Sequence, residues 1–278
     1  KLMKIILPKN ISFFAPISKI TMKTRKAIKI TIATVFVTWL AHLQVPAEAS
    51  VVIGGTRVIY NSSEADVTVK LSNEGKSPAL VQSWVDAGEV KGAPSDIKVP
   101  FTVTPPISRI DPSKSQTLRI IYTGERLPTD RESVFWLNVL EVPPVPRAAD
   151  ADTNRIQLAF RSRIKLFFRP DNLKGSPVDA PSRLVWQLTR ADGKPALEVH
   201  NPTVYYVSLI GIAVQDGATR ITVQNSGMVS PGETRTFALS GDPNDSSNAL
   251  VHYTALTDFG GAMNGDAPLK REAVTPSN

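Results

Sequence analysis

From Val51 onward the chain alternates short apolar runs with clusters of turn-forming residues, and no stretch carries a sustained 3.6-residue period. Seven runs of β-branched and aromatic residues stand out in the first 120 or so positions: Val51–Tyr60, Asp66–Leu71, Ala79–Val85, Phe101–Thr104, Thr117–Tyr122, Val134–Val142 and Arg155–Arg169. Asn73-Glu74-Gly75, Pro105-Pro106, Pro143-Pro144 and Pro170 punctuate them. That spacing predicts one immunoglobulin-like sandwich. A second set follows the Pro- and Gly-containing segment 171–177: Leu184–Thr189, Ala196–His200, Tyr205–Val214, Arg220–Gln224, Thr234–Leu239 and Ala249–Leu256. Asp192-Gly193 between the first two is a hairpin signal. The expectation is an all-β chain of two sandwiches, 50–170 and 178–271, joined by linker 171–177 and ending in a polar tail, 272–278.

The first forty-nine residues read differently. From Met22, a basic stretch (Lys23 to Lys29) precedes the fourteen-residue apolar run Ile30–Leu43 and the Ala47-Glu48-Ala49 site. This order predicts an export signal starting at Met22 and cleaved after Ala49, with residues 1–21 lying upstream of it. The apolar run is short for a membrane span, which needs about 20 residues. The segment also explains the charge. It holds eight of the 32 basic residues and one of the 25 acidic ones, which leaves 24 of each in 50–278. The +7 net charge therefore belongs to the leader, and nucleic-acid binding loses its main support.

Candidate chemistry is sparse. With no cysteine, a disulfide scaffold, a thiol nucleophile, an iron–sulfur cluster and a cysteine zinc site are all excluded. Residues 50–278 carry two histidines, His200 and His252, on separate strands without a spaced third ligand, so no metal site is expected. Asp150-Ala151-Asp152-Thr153-Asn154 begins like a calcium loop, but Arg155 stands where that loop turns on glycine. No HExxH, GxSxG, P-loop or GxGxxG is present. An enzyme is disfavoured, and neither a cofactor nor a small-molecule substrate is expected.

The unusual feature is the run 155–169, about twice an ordinary strand in length. Ile156, Leu158 and Phe160 share one face, with Arg155, Gln157 and Arg161 on the other. Two readings fit this alternation. The three apolar residues face the chain's own core, or they form an exposed apolar edge held out for another chain. Edge strands are normally protected against such pairing, so the second reading makes pairing the strand's task.

Four segments carry a family resemblance: Thr56–Tyr60, Thr104–Pro112, Leu127–Pro144 and Ile164–Pro170. In sequence and order they resemble the periplasmic pilus (fimbrial) chaperones, the PapD-like family. Asn201-Pro202-Thr203 and Thr257-Asp258-Phe259-Gly260-Gly261 extend the likeness more weakly into the second set. The resemblance implies two immunoglobulin-like domains set at an angle around a cleft. It also implies a periplasmic chaperone that binds, folds and caps pilus subunits by donor-strand complementation and delivers them to an outer-membrane usher. Ile156, Leu158 and Phe160 then take the donor role. Arg57 and Lys165 anchor the subunit's terminal carboxylate, and Glu141, Arg169 and Asp258 form a structural interdomain charge cluster. The free protein is expected to self-associate through the donor edge.

Three details qualify the match. The short connection Val145–Thr153 resembles that of chaperones serving rod-like pili. Several relatives carry a disulfide that this chain lacks. Lys165 has the opposite strand parity from the donor residues, so a bulge or strong twist near Ser162 is expected to bring them together. The alternatives are a chaperone for a non-fimbrial surface fibre or coat, a pilin or adhesin subunit, and an extracytoplasmic enzyme or metal-binding sandwich. A subunit should carry a donor extension before its first strand, whereas Ser50-Val51-Val52-Ile53 runs almost directly into one.

Overall fold

The structure is a computed structural model, and it describes residues 50–88, 94–142, 158–243 and 249–271. The expected leader and its cleavage site at Ala49, the donor residue Ile156, the connection Val145–Thr153 and the tail 272–278 lie outside the described residues.

The first sandwich has nine strands. They are β1 (Val51–Ile53), β2 (Arg57–Asn61), β3 (Val67–Asn73), β4 (Ala79–Asp86), β5 (Phe101–Thr104), β6 (Ile107–Ile110), β7 (Ser115–Tyr122), β8 (Ser133–Val142) and β9 (Phe160–Arg169). One sheet has the order β1-β3-β7-β5 and the other β2-β9-β8-β4-β6. The predicted single run Val51–Tyr60 is broken at Gly54-Gly55. β1 pairs with β3 in one sheet, and β2 pairs in parallel with β9 in the other. Alternating positions of both sheets meet in one core, in which Leu71, Leu118, Ile120, Leu137 and Leu166 are fully buried. Tyr60 sits at its centre against the Phe101, Tyr122 and Phe168 rings. Its hydroxyl donates to the Ala65 carbonyl (3.0 Å) and accepts from the Tyr122 amide (3.2 Å), so the buried polar tip is satisfied.

The second sandwich comprises β10 (Val185–Ala191), β11 (Lys194–His200), β12 (Val207–Asp216), β13 (Thr219–Thr222), β14 (Met228–Val229), β15 (Thr234–Ala238), β16 (Leu250–Leu256) and β17 (Ala262–Arg271). Its ladder runs β13-β12-β16-β17-β10-β11-β15, with β14 on β12. A separate core surrounds Trp186, which stacks on Tyr253 at 6.0 Å. β17 escaped the sequence reading because Ala-Met-Asn-Gly-Asp-Ala-Pro-Leu-Lys-Arg has no β-branched residue and carries Gly and Pro, although Met263, Ala267 and Leu269 alternate with Asn264, Asp266 and Lys270. Pairing on both sides, with β16 and β10, makes it a strand. Gly265 is needed there, since a Cβ would stand 2.3 Å from the Tyr253 hydroxyl.

Candidate subunit-binding site

β9 pairs with β8 without interruption from Glu141↔Phe160 to Ser133↔Phe168. The expected bulge near Ser162 is therefore absent, and strict alternation divides the strand. Leu166 and Phe168 enter the first core, and Ile164 packs against it. Lys165, Phe167 and Arg169 point the other way, onto the second sandwich. Phe167 meets the Tyr206 ring at 5.7 Å, and Lys165 Nζ donates to Ser208 Oγ at 3.3 Å. Phe160, on the parity of Leu166, is 47% exposed, and Leu158 just before the strand is 64% exposed. The opposite parity of donors and anchor is real. The two faces meet along the main-chain edge of β9 without a register shift.

That edge is half open. β2 covers β9 only from Arg57↔Lys165 to Asn61↔Arg169. Among the described residues, Phe160–Ile164 pair with β8 alone. The parallel register puts Arg57 directly beside Lys165, at the point where the open half ends. Arg57 lies over the Phe167 ring (5.8 Å) and donates to the Leu256 carbonyl (3.4 Å). Burial pushes the Lys165 ammonium below its ordinary value, and the charges of Arg57 and Arg235 push it further in the same direction. Burial also lowers Arg57, against an opposing pull from Asp258. Arg57 and Lys165 thus share one partly desolvated place on which the Arg235 charge also acts, and an anion there would relieve the repulsion. A recess of about 550 Å³ adjoins it, lined by Gly54, Gly55, Arg57, Ile164 and Phe259 among others.

Below the cations, Arg169 bridges the two sandwiches. It donates to Glu132 Oε1 (2.6 Å) and to both Asp258 oxygens (2.7 and 3.1 Å). Glu132 Oε2 accepts from the Tyr206 amide at 2.8 Å. Burial pushes the Glu132 carboxyl up despite the Arg169 charge, whereas the two carboxylates hold Arg169 above its ordinary value against burial. The expected member Glu141 is not in this cluster. The antiparallel register places it opposite Phe160, at the far end of β8, where it accepts from the Ser50 hydroxyl. Glu132 immediately precedes Ser133, the partner of Phe168, so it is the acid that faces Arg169. The outer histidines are accounted for by single partners: His200 contacts Thr234 Oγ1 and His252 contacts Asp266 Oδ1. No group of three metal-ligating side chains exists among the described residues.

Sequence reading missed Glu132, Ser208, Tyr206 and Arg235. Glu132 lies within the segment that carries the resemblance, nine positions before Glu141, the acid that the resemblance pointed to. Arg235 shares one face of β15 with the buried Phe237, which is a weak signal. Ser208 and Tyr206 carry none, because their importance arises from the packing of one sandwich on the other.

The pattern of known proteins agrees with this arrangement. Residues 50–174 match the model described as pili and flagellar-assembly chaperone, PapD N-terminal domain, and 179–267 match the pili assembly chaperone PapD, C-terminal domain. The chain is 47% identical to the probable fimbrial chaperone YadV of Escherichia coli, over 87% of this chain and 98% of that one. It is 44% identical to the chaperone protein FimB/FhaD of Bordetella pertussis, over 84% and 93%. The YadV crystal structure superposes with a TM-score of 0.68 at 45% identity, over 79% of this chain and all of that one. A Salmonella enterica complex of the SafA pilin with the SafB chaperone gives 0.66 at 31% identity, covering 81% of this chain and 99% of the other. With both sandwiches matched in order and the cation pair at the end of the open edge, the chain belongs to the PapD-like family of pilus-assembly chaperones.

Proposed function

We propose that the protein is a periplasmic chaperone that captures pilus subunits by lending them the open half of β9, with Arg57 and Lys165 anchoring the subunit's terminal carboxylate, and that it passes them to an outer-membrane usher. One observation carries this reading: the place beside Phe160–Ile164 is in line with β2 and ends at Arg57. A strand laid there parallel to β9 would finish with its carboxylate at the cations. An antiparallel strand would bring its amino end to them, so the charge selects direction as well as register. Leu158 and Phe160, with Ile156 before them, would then fill the incomplete core of the subunit. The match to fimbrial chaperones and the export pattern before Ser50 support a periplasmic place of action.

The test is subunit co-purification beside thermal melting. Arg57→Ala and Lys165→Ala should each abolish capture, because losing a hydrogen bond to a desolvated carboxylate costs about 2–5 kcal/mol. Capture should also weaken as pH rises through the depressed Lys165 pKa. A bound carboxylate favours the charged ammonium, so binding takes up a proton there. Normal capture by both variants would reject the anchor.

A further inference from the structure

Among the described residues, the open half of β9 has only one neighbouring strand, yet it must stay extended to receive a partner. Its outward face is tied down by an unusual array. Asp86, at the end of β4, is 0% exposed and accepts from four donors. These are Arg163 Nη2, Arg161 Nη2 (3.2 Å), Asn138 Nδ2 (2.8 Å) and the Gly88 amide (2.8 Å). Asn138 Oδ1 in turn accepts from Arg161 Nε (3.0 Å) and Nη2 (2.8 Å). Each guanidinium lies on an indole, Arg161 over Trp84 at 4.9 Å and Arg163 over Trp136 at 4.8 Å. The register explains the grouping, since Asp86, Trp136 and Lys165 form one cross-strand row and Trp84, Asn138 and Arg163 the next.

The array therefore joins β4, β8 and β9, and both of its cations sit on the segment that, among the described residues, pairs with β8 alone. Burial raises the Asp86 carboxyl, but the hydrogen bonds from Arg163, Asn138 and Gly88 outweigh it and hold the group ionised below its usual range. A buried carboxylate with two guanidiniums costs desolvation, and such sets are better explained by specifying one geometry than by stability alone. Preorganising a binding segment cuts the ordering cost of association.

We infer that Asp86 is a positioning residue for subunit capture: through Arg161 and Arg163 it holds the open half of β9 in register before a partner arrives. This rests on the function proposed above. Once a subunit strand pairs with the edge, it supplies the same restraint. Loss of Asp86 should therefore slow capture without speeding release.

The experiment uses Asp86→Asn, with Arg161→Gln and Arg163→Gln as variants at partly exposed side chains that keep the fold if the first does not. Amide hydrogen exchange of the free chain comes first. Residues 160–164 should exchange at least tenfold faster, while 165–169 keep their protection. Capture is then timed with a subunit co-purified with the native chain, denatured and refolded in the presence of each variant. Capture at least tenfold slower with an unchanged release rate is expected. Exchange that rises uniformly across both sandwiches, or stays unchanged at 160–164, would make the array an ordinary stability element. The Arg57→Ala control separates the two claims. If it loses capture while Asp86→Asn does not, only the positioning role fails. If Arg57→Ala and Lys165→Ala both capture normally, the anchor reading itself fails.

Discussion

Residues 165–169 of β9 are paired on both sides, and Leu166 and Phe168 are buried to 0% and 5% exposure. Residues 158–164 continue the same alternation, yet Leu158 and Phe160 stand 64% and 47% exposed. The difference does not lie in the residues, which are large and apolar in both halves. It lies in what is opposite them. β2 covers the second half and stops at Arg57, and the facing sheet shares a core with Leu166 and Phe168. An alternating strand reports that one of its faces avoids water, and the partner that provides shelter can be the chain's own or another's.

The sharpest way to test this contrast is to remove equivalent side chains from the two halves. Leu166→Ala should destabilise the protein by about 2–5 kcal/mol, read from denaturant or thermal unfolding, because it empties a closed core position. A loss below about 1 kcal/mol would place Leu166 in a site that collapses easily and blunt the comparison.

An intermediate effect is expected from acid. A carboxyl whose folded pKa is depressed stabilises the native state above its unfolded value, and that contribution is lost as pH falls through the folded value. Asp86 should therefore make the melting temperature of the parent protein fall as pH drops below about 4, the ordinary carboxyl range. The Asp86→Asn variant should start lower and show a shallower acid slope. Equal slopes would remove Asp86 from the titration.

The smallest change is expected in the open half. Leu158→Ala should shift stability by no more than about 0.5 kcal/mol, the usual range for a surface site. Replacing Ile156, Leu158 and Phe160 together by Asp should leave a folded, soluble chain that no longer captures subunits and that self-associates less. A triple variant unable to fold would mean that these residues are core after all.

Much of the architecture was legible because turn residues and period-2 runs are local signals. Phe101–Thr104 was read to the residue, and most other strands to within a few. The reading failed where pairing overrides composition. β17 is a strand because β16 and β10 hold it from both sides. Val51–Tyr60 is two strands because the chain changes sheets at Gly54-Gly55, and the apolar pattern is indifferent to which sheet it joins. Arg57 and Lys165 were chosen through the resemblance, and the parallel ladder sets them side by side. The resemblance pointed to Glu141, whereas the antiparallel register turns the Glu132 end of β8 toward Arg169.

What the sequence alone determined was the all-β character, the two strand sets, the neutrality of residues 50–278 once the basic residues of 1–49 are set aside, and the exclusion of thiol chemistry. These follow from residue type and spacing, which act over a few positions. Tertiary structure decided which apolar residues are sheltered, which acid closes the ion cluster on Arg169, and that Arg57 of β2 stands beside Lys165 of β9. Those outcomes depend on strand register and on where each ladder stops, and register is settled by contacts between segments as much as a hundred residues apart.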